Sequence, residues 1–224
     1  MLDLEAFLCS VRLAWVTTLV LLVFGGGIAY FLAFSRLRLR FLLESLVVLP
    51  LALPPTVLGF YLLVLFGRES AVGAWLQESL GIQVLFSFWG LVVGSVVYSL
   101  PFMVRPLQTG FEAVSQEFRE MAVLCGASAG QTFWRVVMPL SWRSVVAGCI
   151  LTFAHTLGEF GIVMMIGGNI PAETRTASIA LYDAVQAADY ATAHRLALTL
   201  LCLCFLLNVS VILLNKFLWR DVNR

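Results

Sequence analysis

Residues 120–143 read EMAVLCGASAGQTFWRVVMPLSWR. The segment carries charges, glycines and a proline, yet long apolar runs flank it on both sides. Just before and into it, Ser115 to Cys125 (SQEFREMAVLC) has the makings of a helix, which Gly126 can end by turning left-handed. Ser128 and Gln131 hold the S-x-x-Q spacing of a capping box. A second short helix is therefore expected from Ala129 to about Val137, with Pro139 stopping it before the next apolar run. Two short helices across a tight turn make a rigid projection.

The surroundings of that projection set the class. The chain has 224 residues, 61% of them hydrophobic and only 12% charged, and its mean hydropathy is +0.96. A soluble domain carries about twice that charged fraction. Several apolar runs reach the ~20 residues that a helix needs to cross a bilayer. Five spans are expected, at about 12–34, 43–66, 84–104, 144–167 and 196–218. The reading is an all-α, polytopic membrane protein in one domain, residues 1–224, with an interior loop at 105–143. MLDLEAFLCSVR lacks the basic start and cleavage site of a signal peptide, so the first span is expected to be retained.

Orientation follows from the basic residues. With the first loop inside, Arg36, Arg38, Arg40, Arg105, Arg119, Arg135, Arg143, Lys216, Arg220 and Arg224 lie inside. Arg12, Arg68, Arg175 and Arg195 are left outside, a split of ten against four. The N-terminus is thus expected outside, the C-terminus inside, and the quoted segment in the cytoplasm. Outside, residues 71–80 (AVGAWLQESL) read as a short amphipathic surface helix, and 173–195 as a longer loop with helical parts.

Cys9, Cys125, Cys149, Cys202 and Cys204 show neither a CxxC pair nor a metal spacing with histidine, so no metal is expected. No internal repeat is visible. No phosphate-binding G-x-x-x-x-G-K-[ST] loop occurs, and Lys216 is the only lysine. No cofactor is expected in this chain, and any energy for transport must come from another subunit or an ion gradient. A nucleic-acid partner is not expected; the bilayer is.

Three features inside the spans could carry function. Pro50, Pro54 and Pro55 interrupt the second span. A proline inside a helix costs ~3 kcal/mol or more, and broken backbone at membrane depth is tolerated where it is buried in protein or lines a cavity. Pro54, Pro55 and Thr56 are therefore pathway or gate candidates, with Gly59 nearby. The fourth span holds AHTLGEFG, in which His155 and Glu159 are four apart and are expected on one helix face. Glu159 is read as a structural or gating residue because an intramembrane carboxyl is rare and functional. Gly90 and Gly94, and the triple Gly25 to Gly27, suit tight helix contacts.

The quoted segment also carries a resemblance. Glu120, Met121 and Ala122 are followed by three residues and Gly126, then nine more lead to Val136, Val137, Met138 and Pro139. This resembles the E-A-A-x3-G-x9-I-x-L-P loop of ABC importer permeases. Glu120, Ala122, Gly126 and Pro139 match, whereas Met121, Val136 and Met138 depart from the consensus letters. LPLALPPTVLGFYLLVLFGR and TLGEFGIVMMIGGNIPAETRT are similar to stretches of the molybdate-type ABC permease. The likeness runs from about residue 11 to residue 216, and sulfate and tungstate permeases are near relatives.

The resemblance implies a type I importer permease fold, a homodimer in a bacterial inner membrane and two separate ABC ATPase subunits that use ATP and Mg. It also implies an external molybdate-binding protein, and a path between the two permease copies that opens by alternating access. The chain itself is then no enzyme. A buried oxyanion needs donors, and Thr56, Ser95, Ser99, Thr152 and Thr156 are the hydroxyls that position suggests. Alternatives are a sulfate, thiosulfate or tungstate permease, a gradient-driven secondary transporter, or an intramembrane enzyme. The last two lack paired carboxylates, repeats or a convergent catalytic set in the sequence.

Overall fold

The structure is a computed structural model that describes residues 3–35 and 37–219, with side chains up to residue 213. Arg36, Arg220 and Arg224 of the charge count, and the Lys216 side chain, lie outside the described residues. The described residues contain helices and no strands. In chain order these are α1 Leu4–Phe34, α2 Arg40–Ala52, α3 Pro55–Phe66, α4 Ala71–Leu80, α5 Phe88–Glu112, α6 Gln116–Leu124, α7 Ala129–Thr132, a π-helical turn Phe133–Val137, α8 Met138–Gly158, α9 Gly161–Gly167, α10 Ala177–Gln186 and α11 Tyr190–Trp219.

Local chemistry explains most helix starts. Asp3, Ser70 and Ser87 each accept a backbone N–H from the first turn of α1, α4 and α5. Gly81 ends α4 with φ +66, a conformation that needs a glycine more than any other residue. Among the described residues, four helices are long and apolar enough to span a bilayer: Leu4–Phe34, Phe88–Glu112, Ala129–Gly158 and Tyr190–Leu213. The pair α2 and α3 makes a fifth crossing only as a broken one, bent by 108°.

α5 is the axis of the fold: 56% of its apolar window is buried, against 6% for α11 at the periphery. Two apolar cores stack along it. One joins Leu21 and Leu32 of α1 to Met103, Leu107 and Phe111 of α5 and Val137 of the π turn. The other joins Leu13 to Leu91 and Val92 of α5, Ile162 and Ile166 of α9, and Ile179 of α10. Lipid is as apolar as leucine, so helices in a bilayer gain by close packing rather than by the hydrophobic effect. Small residues supply the closeness: a Cβ at Gly94 would sit 2.8 Å from Ile166, one at Gly148 2.7 Å from Leu107, and one at Gly25 3.3 Å from Met103.

Two expectations need correction. Pro139 does not stop the second loop helix, because Ala129–Gly158 runs as one continuous helix. The π turn explains this: the Met138 N–H bonds back to Phe133, so the wide turn ends where Pro139, which has no N–H, begins the next turn. The expected fourth span, 144–167, is instead two helices. α8 ends at Gly158, Glu159 is extended (φ −66°, ψ 131°) and α9 begins at Gly161. His155 and Glu159 therefore do not share a helix face. The second span is broken at Leu53 and Pro54, as its prolines suggest. α5 continues to Glu112 despite Pro101 and Pro106, so the first part of the segment 105–143 is helical.

Candidate functional site

The projection at 115–137 forms at one end of α5 and α8. Gly126 has φ +82, as its role in ending α6 requires. Both halves of the capping box are present: the Gln131 N–H donates to Ser128 Oγ at 3.3 Å, and the Ser128 N–H donates to Gln131 Oε1 at 2.9 Å. Behind the turn, Thr132 and Val137 are buried and Phe133 packs edge-on against Tyr30 and Phe111. The turn is thus anchored in the core.

α6 itself is not anchored that way. None of its residues is buried. Its attachments are the Arg119 guanidinium, 4.4 Å from the centre of the Phe34 ring, and buried Val114 just before it. Met121, Val123 and Leu124 are exposed, Leu124 at 86%. Glu120 is exposed and accepts a hydrogen bond from Gln116 at 2.5 Å. Ala122 is half-buried, and Gly126 and Pro139 are exposed. Beside α6, a cleft of 660 Å³ opens between Phe34, Arg119, Glu120 and Leu124. A rigid arm that presents apolar side chains beyond the spans is suited to receive another protein. Ser128→Ala should cost about 1 kcal/mol of helix stability, read as a lower thermal midpoint of the purified protein.

A second region forms where two spans are interrupted. The break after α2 leaves Pro54 and Thr56 exposed and Pro55 half-buried. The break before α9 lies against it, where a Cβ at Gly161 would come within 2.9 Å of Pro55. One turn along, a Cβ at Gly59 would sit 2.8 Å from Met165. The two interrupted spans therefore meet at their interruptions. Sequence reading found the first break through its prolines and missed the second, whose traces are Gly158 and Gly161.

The remaining candidates lie in a polar cluster between α5 and the end of α8. Ser99, Thr156 and Glu159 are 0%, 2% and 4% exposed. Ser99 Oγ is 2.9 Å from His155 Nδ1 and 3.0 Å from Thr156 Oγ1, and Thr156 donates to the Thr152 carbonyl at 2.9 Å. His155 also stacks on Phe102 with ring centres 4.0 Å apart. The structure thus brings Ser95, Ser99, Thr152, Thr156 and Glu159 together inside the protomer and leaves Pro54 and Thr56 at its surface.

Two polar fasteners flank the bundle, neither visible as a motif. At the α6 end, Arg40 bonds both Glu44 and Glu112, and buried Gln108 donates to Glu44 at 2.8 Å and Glu112 at 3.1 Å. At the opposite end, Arg175 pairs with Asp183 at 3.2 Å and Asp3 at 3.6 Å, and Asn169 donates to Asp183 at 2.9 Å. Asp189, in the turn before α11, is held below the usual aspartate range by its hydrogen bonds from Thr192.

Comparison with known proteins places this geometry. Residues 22–224 match the family described as binding-protein-dependent transport system inner membrane component. The chain is 47% identical over 216 residues to the molybdenum transport system permease protein ModB of Azotobacter vinelandii, covering 96% of this chain and 95% of that protein. It is 36% identical to the ModB of Escherichia coli K12, covering 81% and 80%. It is 31% identical to a probable sulfate transport system permease protein of Chlorella vulgaris, covering 95% and 79%. Among solved structures, it is similar to a chain of a bacterial alginate ABC transporter in complex with an alginate pentasaccharide-bound periplasmic protein. That match has a TM-score of 0.75 at 14% identity and covers 97% of this chain and 78% of that one.

Proposed function

The chain belongs to the family of binding-protein-dependent transport system inner membrane components, and from that premise we propose that it is the permease subunit of an ABC importer that carries molybdate into the cytoplasm. The observation that carries this reading is α6: a helix with no buried residue, on a core-anchored mount, at the position of the importer docking loop. The substrate rests on the 47% identity to a molybdenum permease over almost the whole of both chains.

In this reading two copies pair, one ATPase subunit docks on α6 of each copy, two in all, and a binding protein delivers the oxyanion from outside. ATP and Mg act on the ATPases, and this chain performs no chemistry. The ten-to-four bias of basic residues supports a cytoplasmic α6 and an outside N-terminus. The path runs between copies. Pro54, Pro55 and Thr56, at the broken surface of the second span, line it, because irregular backbone at membrane depth belongs beside a cavity. Alternating access is a rocking of the bundle driven through α6, with Glu120, Ala122, Gly126 and Pro139 in the docking element. Selectivity sits mainly in the external binding protein, since the spans offer no cluster of cations to hold a dianion.

A sulfate reading has one observation in its favour, the 31% identity to a probable sulfate permease. Uptake of labelled molybdate by membranes containing all subunits decides between them. Unlabelled tungstate or molybdate should compete and sulfate should not; strong competition by sulfate with weak molybdate uptake would overturn the assignment.

A further inference from the structure

We propose that Arg119 is a positioning residue: by stacking on Phe34 it staples α6 to the C-terminal end of α1, so that a push on α6 moves the bundle instead of swinging the arm. α6 needs such a tie. It has nine residues, none of them buried, whereas an isolated helix needs about 12–15 to be stable in water. Buried Val114 fixes the chain before it and the capped turn fixes the chain after it, which leaves its direction to be set by what it touches along its length. The face that carries Gln116, Arg119 and Val123 looks across a cleft of 660 Å³ at Ala33 and Phe34, in the last turn of α1. Arg119 crosses that cleft, with its guanidinium carbon 4.4 Å from the centre of the Phe34 ring. Among the described residues no carboxylate pairs with this guanidinium, and its Nε is buried without a hydrogen-bond partner. What holds the cation there is the face of the ring.

Phe34 is placed to pass the push on. Its ring meets Tyr30 edge-on with centres 5.0 Å apart, and Tyr30 meets Phe133 of the π turn at 5.0 Å and Phe111 of α5 at 6.4 Å. Phe111 and Phe133 meet each other at 5.9 Å. Phe111 is 1% exposed and belongs to the core that also holds Leu32 of α1 and Val137 of the π turn. The two sides of the arm therefore converge on one aromatic cluster, α6 through Arg119 and Phe34, and the π turn through Phe133. Edge-to-face rings at these distances attract in a fixed geometry, and a packed interior transmits strain. An arm tied on one side only would pivot at the turn around Gly126. Tied on both, it moves as one piece with α1 and α5. Arginine suits this role because its planar, weakly hydrated guanidinium stacks on an aromatic face.

The inference rests on the proposed docking role of α6 for its uptake arm, and its exchange arm stands without that role. In the full-length permease in nanodiscs, amide hydrogen exchange across residues 116–125 reads the staple alone. Arg119→Met keeps the stem and removes the charge, and Phe34→Leu keeps an apolar side chain and removes the ring. Each should speed exchange there by about 5- to 30-fold, the size expected for one partly desolvated cation–π pair. The double variant should be no faster than either, and Phe34→Trp should exchange like the wild type. In the complete complex, both single variants should retain the ATPase and its maximal hydrolysis rate, while molybdate taken up per ATP hydrolysed falls about fivefold or more. Phe34→Trp should keep that ratio. Unchanged exchange, or additive effects in the double variant, would overturn the staple. Loss of the ATPase from Arg119→Met but not from Phe34→Leu would make Arg119 a direct contact of the partner and overturn it too. Faster exchange with an unchanged uptake ratio would overturn the positioning role. A wild-type complex that imports sulfate with the same dependence supports the inference and overturns only the substrate.

Discussion

Leu124→Asp is expected to strip the ATPase from the complex. Leu124 is 86% exposed at the end of α6 and touches no core residue that its loss would disturb. Its apolar surface lies next to Met121 and Val123, both exposed as well. A central apolar anchor of an interface commonly carries 2 kcal/mol or more, about a 30-fold loss of affinity. An aspartate adds a charge that must be desolvated on docking, so the loss should exceed that of Leu124→Ala. The measurement is co-purification of the ATPase with the tagged permease, together with transport-coupled ATP hydrolysis. The permease should keep its own thermal midpoint, because the substitution is at the surface. Retention of the ATPase at wild-type ratio would remove α6 as its docking element. Gly126→Val probes the same element differently, since a β-branched residue at φ +82 is strained. It should leave the apolar surface present but misaimed, with hydrolysis no longer tied to uptake.

Gly161→Leu should abolish uptake by a different route. A Cβ there already meets Pro55 at 2.9 Å, closer than real contacts come. Overfilling a packed site costs about 1–3 kcal/mol and sometimes more, and here it drives apart the two broken spans that meet at Pro55. Uptake should be lost and the thermal midpoint lowered, with Gly161→Ala intermediate. Gly27→Ala and Gly130→Ala are the controls, because a Cβ at either position meets nothing within 4 Å. Inside helices those changes should be neutral or stabilise by roughly 0.5–1 kcal/mol. Normal uptake by Gly161→Leu would show that the contact between the breaks does not matter to transport.

The contrast between those two predictions marks what a sequence can show. The α6 arm was legible because its causes are local. Gly126 ends a helix by its own freedom at positive φ, and Ser128 with Gln131 close a box within four residues. The break at Pro54 was legible too, since proline removes its own donor. The break at Glu159 was not. No proline marks it, and the pattern of AHTLGEFG favours an unbroken helix. What ends α8 comes from far along the chain: Ser178 takes the Glu159 carbonyl, and Pro55 fills the space beside Gly161. Pro139 shows the converse, a local stop signal overridden by a π turn whose Phe133 is held by Tyr30 and Phe111.

By itself, the sequence determined that this chain crosses a membrane several times, that it lacks a nucleotide-binding loop, and that it carries a capped, glycine-ended arm matching the docking loop of an importer. Composition and short-range hydrogen bonding suffice for all three. Only the tertiary structure decided which hydroxyls face inward and where the fourth span breaks. It also decided that the two broken spans meet, and that Glu159 lies sealed in the protomer rather than at its surface. These depend on which small residues let helices approach and on which distant side chain satisfies a freed carbonyl, and neither is encoded within one helix.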